Sequence, residues 1–179
     1  MYPKQVDFIE FANVPNFEVV SDKNKAKLIF NNLVVEMEKR YELFQKYKVK
    51  KIAQFNNLSD TLKMPIIWCF HDEFPDWFLD DEYQTNVGSA IKKLSAKARA
   101  AGIYLVFAAQ RPEASVMPPF MRSNFGIRLV LKVADKGTSN IALGDANTFA
   151  QANELLGKGH MIAVLSEKTV FCQVPNIED

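Results

Sequence analysis

The sequence predicts an α/β fold in which a mostly parallel sheet is flanked by helices. Two short apolar runs, residues 65–70 and 103–109, are separated by a segment with helical periodicity. Buried strands of a parallel sheet appear as continuous apolar runs, and their alternation with helices is typical of this fold class. A chain of 179 residues with 48% hydrophobic content can bury one sizeable core, so we expect a single domain over residues 1–179.

The first predicted helix extends from about residue 22 to residue 47. Ser21 or Asp22 can cap its start. Apolar residues recur along it at helical spacings: Ile29, Leu33, Met37, Tyr41 and Phe44. Residues 56–60 have the composition of a loop, and Pro65 marks the start of the first strand.

The second predicted helix extends from about residue 83 to residue 101. Its apolar face consists of Val87, Ala90, Ile91, Leu94, Ala98 and Ala101. Gly102 suits the left-handed conformation that ends many helices. The strand at residues 103–109 follows at once, residues 125–133 form another candidate strand, and residues 160–165 and 169–174 are predicted to form a hairpin.

Composition excludes several classes of protein. The net charge of +1 excludes an overall basic footprint, so any contact with nucleic acid must be local. Cys69 and Cys172 lie far apart in apolar runs, which favours buried thiols over a disulfide framework or a zinc site. No apolar stretch approaches the roughly 20 residues that cross a bilayer, and no signal peptide opens the chain. We therefore expect a reducing, cytoplasmic compartment and no membrane contact from this segment.

Polar residues follow both predicted parallel strands. Asp72 and Glu73 come after the first, and Gln110 and Arg111 after the second. Open α/β sheets place their chemistry at this carboxyl edge. An apolar strand that ends in Asp-Glu is typical of a Walker B motif, in which Asp organises the Mg²⁺ of a nucleotide and Glu activates water. The alternative is that the two carboxylates cap a helix or are simply solvated.

The phosphate-binding loop that normally accompanies such a strand is missing. The loop requires G-x-x-x-x-G-K-[ST], whose backbone N–H groups and lysine hold the phosphates. Gly157 precedes Lys158, but Gly159 follows where Ser or Thr is needed, and Ala152 stands at the first glycine position. The sequence therefore predicts part of a larger nucleotide-dependent enzyme, and residues 157–159 are the first place to look for an overlooked phosphate site.

Arg99 lies off the apolar face of the second predicted helix, about 140° from Leu94 at roughly 100° per residue. An arginine in this position is either an ordinary solvated side chain or an arginine finger that reaches the site of a neighbouring subunit.

Several ordered motifs together resemble the motor domain of the FtsK/SpoIIIE DNA translocases. They are VVEMEKRYELF, KIAQFN, the strand ending in HDEF, KARAAGIYLVFAAQRP and ELLGKGHM, and the resemblance extends from residue 3 to about residue 165. It implies a RecA-like P-loop ATPase that uses ATP and Mg²⁺, assembles as a hexameric ring and moves double-stranded DNA through its pore. The Walker A loop would then lie upstream of Met1, so that the chain is a partial domain truncated before the P-loop.

The resemblance also implies roles for individual residues. Asp72 is the Walker B aspartate, an indirect ligand of Mg²⁺, and Glu73 is the catalytic glutamate. Arg99 matches the trans-acting arginine finger, and Gln110 the polar sensor of the ATQRP motif, although Ala109 replaces its threonine. Lys136 matches a lysine that senses nucleotide across the subunit interface. Arg111, with the loop that follows it to Phe120, matches the region that contacts the DNA backbone.

Three further positions depart from the family pattern. His71 replaces an aliphatic residue, and a buried neutral histidine is the simplest explanation. Asn140 replaces an arginine directed towards DNA, which weakens a backbone contact. His160 replaces an aspartate.

The leading functional hypothesis is therefore part of an ATP-driven translocase of duplex DNA, with ATPase activity residing in a longer parent protein. That parent would be cytoplasmic, at the inner face of the membrane if it carries an N-terminal anchor. One alternative is a related motor of a restriction or defence system, including those dependent on DNA phosphorothioation, or of a conjugation or secretion apparatus. The other is a non-catalytic interaction module that keeps the fold without holding ATP.

Overall fold

The computed structural model describes residues 1, 3, 8–59, 62–111, 119–144 and 150–175. They belong to two compact units, Met1–Ala109 and Gln110–Asp179. Each unit is described by itself, and the single-domain organisation stays a prediction.

The first unit contains the helices and the parallel strands that the sequence predicts, with two additional short helices. Its elements are α1 (Lys23–Lys46), α2 (Ile52–Asn56), β1 (Ile67–His71), α3 (Phe74–Phe78), α4 (Asp81–Lys97) and β2 (Ile103–Phe107), preceded by a 3-10 turn at Ile9–Asn13. The second unit contains α5 (Pro119–Asn124), β3 (Arg128–Leu131), α6 (Lys136–Leu143), β4 (His160–Val164) and β5 (Thr169–Gln173), with a 3-10 turn at Ala152–Glu154.

Helix α1 begins where the sequence predicts. The Asp22 side chain caps it by accepting a hydrogen bond of 2.7 Å from the Lys25 N–H. Its buried residues are Ala26, Phe30, Leu33, Val34, Met37, Arg40 and Phe44, while Ile29 and Tyr41 of the predicted stripe are half-buried. The buried face thus includes the centre of the predicted stripe and adds Ala26, Phe30, Val34 and Arg40.

Arg40 ties α1 to the polypeptide around both parallel strands. Its guanidinium is 3% exposed and donates to the carbonyl oxygens of Pro65 at 2.9 Å and Ala101 at 2.8 Å. Its Nε–H donates to Glu36 one turn earlier at 2.7 Å. A buried guanidinium with all these bonds satisfied holds the start of β1 and the turn before β2 against the same helix.

Helix α4 ends four residues before the sequence predicts, at Lys97. The chain then turns, with Gly102 N–H donating to the Arg99 carbonyl and Ile103 N–H to the Ala98 carbonyl. Gly102 has φ +76°, and an added Cβ would overlap the Ile52 side chain. The prediction of a left-handed glycine at this position is confirmed, and the predicted apolar face of the helix is buried throughout.

Strands β1 and β2 pair in parallel from Ile67 with Ile103 to His71 with Phe107. This confirms the predicted α/β class and its parallel strands. On one face Cys69, His71 and Ile103 are buried. On the other face Ile66, Trp68, Phe70 and Val106 are exposed, and Trp68 stacks on Tyr104 with ring centroids 4.6 Å apart. The sheet is therefore covered on one side and carries a bare apolar surface on the other.

The second unit is built on an antiparallel sheet with the order β3-β4-β5. The predicted hairpin is confirmed, since β4 and β5 pair from His160 with Gln173 to Val164 with Thr169. A tight turn closed by Leu165 N–H and the Lys168 carbonyl reverses the chain, which produces antiparallel pairing. The hydrophobic core of the second unit contains Val130, Ala142, Leu143, Ala150, Ala152, Leu155 and Ile162.

Candidate nucleotide site

Asp72 and Glu73 lie directly beyond the carboxyl end of β1, as the sequence predicts, and both are half-buried. Glu73 has φ 44° and ψ 48°, a left-handed conformation, and its backbone forms the N-cap of α3. Such a conformation costs a non-glycine residue roughly 1–2 kcal/mol. Strain of this kind persists only where surrounding contacts hold the backbone in place, and it is concentrated at functional sites.

The backbone of Glu73 is held by main-chain hydrogen bonds of its two neighbours, Asp72 and Phe74. Asp72 N–H donates to the Met1 carbonyl at 2.9 Å, and Phe74 N–H donates to the Ala108 carbonyl at 3.1 Å. Ala108 N–H in turn donates to the His71 carbonyl at 3.0 Å, which extends the parallel ladder past the end of both strands. Glu73 is thus fixed from both sides by main-chain bonds.

His71 lies beneath the two carboxylates and is 1% exposed. Burial lowers the pKa of His71 to about 4, while its hydrogen bond to the Asp72 carbonyl acts in the opposite direction. Its other ring nitrogen contacts the hydroxyl of Tyr83 at 3.2 Å. The predicted burial of His71 is confirmed. No role for Tyr83 was predicted from the sequence. A tyrosine in the first turn of a helix with a buried face could have indicated it, because a buried tyrosine hydroxyl usually has a hydrogen-bond partner.

The carboxylate pair supplies hard oxygen donors of the kind that Mg²⁺ prefers. Mg²⁺ bound to a nucleotide takes one or two carboxylates and completes its shell with phosphate oxygens and water. Within the described parts of the chain, no three His, Cys, Asp or Glu side chains are grouped closely enough to hold a metal ion by themselves.

The other predicted site residues occupy exposed positions. Arg99 lies in the turn after α4 and not in the helix, because the helix ends at Lys97. Gln110 and Arg111 begin the second unit, and Lys136 is the first residue of α6, next to its cap Asp135. Their roles stay predictions, and most of the loop between Arg111 and Phe120, residues 112–118, lies outside the described residues.

The segment Gly157-Lys158-Gly159 forms the turn that enters β4. All three residues have positive φ, at 83°, 52° and 83°. The Gln173 side-chain amide donates to the Lys158 carbonyl at 2.7 Å, and Val174 N–H donates to the Gly159 carbonyl at 2.8 Å. The two glycines are therefore explained by a turn with positive φ angles that is hydrogen-bonded to the end of β5.

Comparison with known proteins identifies the family. No protein-family model matches the chain. An FtsK-like protein of Nostoc is 34% identical over 168 residues, which is 92% of this chain and 23% of that protein. The DNA translocase FtsK of Lactococcus lactis is 34% identical over 171 residues, 89% of this chain and 22% of the relative. The chain belongs to the FtsK-like family. It spans less than a quarter of the length of these curated relatives.

Solved structures support the same assignment. The conjugation coupling protein TcpA of pCW3, in its monomer form with ATPγS, matches with a TM-score of 0.78 at 28% identity over 87% of this chain and 45% of that one. The cytoplasmic domain of the type VII secretion ATPase EccC of Thermomonospora curvata matches with a TM-score of 0.68 at 17% identity, over 84% of this chain and 17% of that one, and bears on the fold alone. The predicted P-loop ATPase fold is confirmed. None of the helices in the described part of this FtsK-like chain is long and apolar enough to span a membrane.

Proposed function

We propose that this FtsK-like chain is the Walker B half of an ATP-driven motor that moves double-stranded DNA. The observation that carries the proposal is the Asp72-Glu73 pair at the end of a parallel strand, with Glu73 held in a left-handed conformation. In this proposal Asp72 holds Mg²⁺ indirectly and Glu73 aligns the attacking water. The metal would neutralise charge on the phosphates when the nucleotide is bound.

The bare face of the first sheet supports a role within a longer polypeptide. Parallel sheets are normally buried on both faces. The exposed residues Ile66, Trp68, Phe70 and Val106 form an apolar surface that helices of the missing layer would cover. We propose that the phosphate-binding loop and its helix belong to that layer, and that residues 1–179 form a single partial domain with it.

The exposed cations fit roles at the edges of a ring. Arg99 projects from a turn, a position from which it can reach the nucleotide site of a neighbouring subunit and stabilise charge on the transferred phosphoryl group. Lys136 stands in the first turn of α6, where the helix dipole disfavours a cation, so its charge is better explained by an anion outside the helix. We further propose a hexameric ring, Gln110 as the sensor of nucleotide and Arg111 as a contact to DNA phosphates.

The test uses a longer polypeptide that carries G-x-x-x-x-G-K-[ST] upstream of residue 1. Glu73→Gln should abolish ATP hydrolysis while ATP binding persists, because the loss of this charge affects the transition state more than the ground state. The matched control is Glu82→Gln, an exposed glutamate that pairs with Lys27 and should leave turnover unchanged. Unchanged turnover in Glu73→Gln would show that Glu73 is only a structural cap of α3, whereas the absence of the loop or of any ATP hydrolysis in the parent sequence would favour a non-catalytic module.

A conjugation motor is the second candidate. The similarity to the conjugation coupling protein, at 28% identity and a TM-score of 0.78, favours it. Both candidates use the same chemistry, so the neighbouring genes separate them: a relaxase and transfer genes indicate conjugation, and their absence favours a chromosomal translocase.

A further inference from the structure

His71 occupies a box of aromatic rings on the covered face of the first sheet. The ring centroids nearest to it belong to Trp77 at 5.2 Å, Phe107 at 5.9 Å, Phe30 at 6.2 Å, Phe74 at 6.3 Å and Tyr83 at 6.3 Å. Both ring nitrogens nevertheless have polar partners. Nδ1 lies 3.3 Å from the Asp72 carbonyl oxygen, and Nε2 lies 3.2 Å from the Tyr83 hydroxyl.

These partners determine the direction of both hydrogen bonds. A carbonyl oxygen only accepts, so Nδ1 must carry the proton and donate to Asp72. His71 is 1% exposed and packed among aromatic side chains, an environment that disfavours a charged imidazolium, so Nε2 carries no proton and accepts from the Tyr83 hydroxyl. Tyr83 is 0% exposed and donates inward, and burial raises the pKa of its phenol, so it remains a donor.

The Asp72 carbonyl belongs to the peptide that leads directly into Glu73. Fixing this oxygen fixes the ψ angle of Asp72 and the plane from which the φ angle of Glu73 is measured. The next peptide is held by the bond from Phe74 N–H to the Ala108 carbonyl. Between these two held peptides, Glu73 has little freedom to leave its left-handed conformation.

We propose that Tyr83 and His71 form a hydrogen-bonded brace that holds the Asp72–Glu73 peptide and thereby aims the Glu73 carboxylate. Tyr83 donates to Nε2 of His71, and Nδ1–H of His71 donates to Asp72. Both are positioning residues that act through Glu73. The geometric part of this inference stands on the chain itself, and its consequence for hydrolysis rests on the proposed function.

The first test is the tautomer of His71 in the unmodified chain. Free neutral histidine in water prefers the proton on Nε2, whereas the brace requires it on Nδ1. Long-range ¹H–¹⁵N correlation of the labelled protein at pH 7 should show a protonated Nδ1 and an unprotonated Nε2 for His71. A proton found on Nε2 would overturn the proposal without any variant being made.

The second test removes only the donor. Tyr83→Phe keeps the ring and deletes the hydroxyl, so Nε2 of His71 loses its donor, the imidazole is held less firmly, and amide exchange at Phe74 should accelerate roughly tenfold. The matched control is Tyr104→Phe, since Tyr104 stacks on Trp68 on the bare face of the same sheet. His71→Asn retains a donor near the Nδ1 position and should preserve slow exchange, whereas His71→Leu should not. Equal exchange rates in Tyr83→Phe, Tyr104→Phe and the parent sequence would also refute the brace.

A third measurement separates this inference from the proposed function. In the longer ATPase, Tyr83→Phe should lower kcat about tenfold with KM unchanged, because the altered group acts on the water-activating residue and not on nucleotide binding. Absence of ATPase activity in the unmodified longer protein would contradict the proposed function and leave the tautomer result standing. A normal kcat in an active Tyr83→Phe enzyme would show that the brace does not aim Glu73.

Discussion

The left-handed backbone of Glu73 predicts that a glycine at this position is more stable than an alanine. A non-glycine residue pays roughly 1–2 kcal/mol for this conformation, and glycine relieves that cost. Glycine also gains entropy in the unfolded chain, which offsets about 0.4–1 kcal/mol. Glu73→Gly should therefore be more stable than Glu73→Ala by about 0.5–1 kcal/mol, and both variants lose the same side-chain contacts.

The assay is urea denaturation of the two variants, supported by thermal melting, where we expect a difference of about 2–3 °C. Two matched pairs bracket the result. Lys48 has φ 55° in the turn after α1, so Lys48→Gly should likewise exceed Lys48→Ala in stability. Glu38 is exposed within α1, where glycine should be the less stable variant by about 1 kcal/mol.

The reasoning fails if Glu73→Gly is less stable than Glu73→Ala while the Lys48 pair behaves as expected. That outcome would mean that the left-handed conformation of Glu73 carries no backbone cost in this setting. If the expected order holds, the site keeps a glutamate in a backbone conformation that glycine would adopt without strain. Selection for activity over stability is the usual reason for such a choice.

Three further predictions concern stability and partners. Arg40→Met should destabilise the chain by about 1–3 kcal/mol in urea titrations, because the buried Ala101 carbonyl, the part-buried Pro65 carbonyl and Glu36 lose their donor. The adjacent exposed Lys39→Met should change stability by less than about 0.5 kcal/mol, and equal effects would show that the hydrogen bonds of Arg40 contribute nothing. The pKa of His71 falls from 6.5 to about 4 on folding, so the unfolded state takes up the proton at a higher pH than the folded state does, and about 3 kcal/mol of stability should be lost as the pH falls from 6.5 towards 4. In urea titrations across that range, His71→Leu should flatten the dependence of stability on pH, and an unchanged dependence would contradict the prediction. In the assembled longer protein, Arg111→Ala should weaken binding to two unrelated DNA duplexes equally, and the slope of log affinity against log salt concentration should fall by about one unit. Lys168→Ala should do neither, and a loss of affinity for one duplex alone would exclude a phosphate contact.

The sequence predicted the elements whose signal is long and periodic. Spacing and composition predict helix α1 with its cap at Asp22, the parallel strand that leads into Asp72 and the glycine turn at Gly102. The short helices α2, α3, α5 and α6 were missed, because five to eight residues contain too few turns for a periodic signal. Only the cap at Asp135, which accepts from the Thr138 N–H, marked the start of α6 in the sequence.

The candidate site was predictable in its residues but not in its backbone. The position of Asp72 and Glu73 at a strand end follows from the apolar run before them. No residue pattern reveals that Glu73 is left-handed, because the hydrogen bonds on either side of it run from Asp72 N–H and Phe74 N–H to the carbonyls of Met1 and Ala108, which are distant in sequence. The burial of Arg40 could not be predicted for the same reason. A charged residue on a helix is normally expected to be solvated, and only the structure shows the carbonyls of Pro65 and Ala101 to which it donates.

These two features belong to one arrangement around the first sheet. Arg40 holds the polypeptide entering β1 and the turn entering β2, so the two strands start from a common anchor. His71 and Ala108 hold the opposite ends, where Phe74 and Asp72 leave the sheet. A parallel pair fastened at both ends keeps its register, and a one-residue slip would turn Glu73 away from the carboxyl edge. The position of the proposed catalytic carboxylate thus depends on main-chain bonds along the whole length of the β1–β2 pair, and a variant such as Arg40→Met should disturb it from the far end of the sheet.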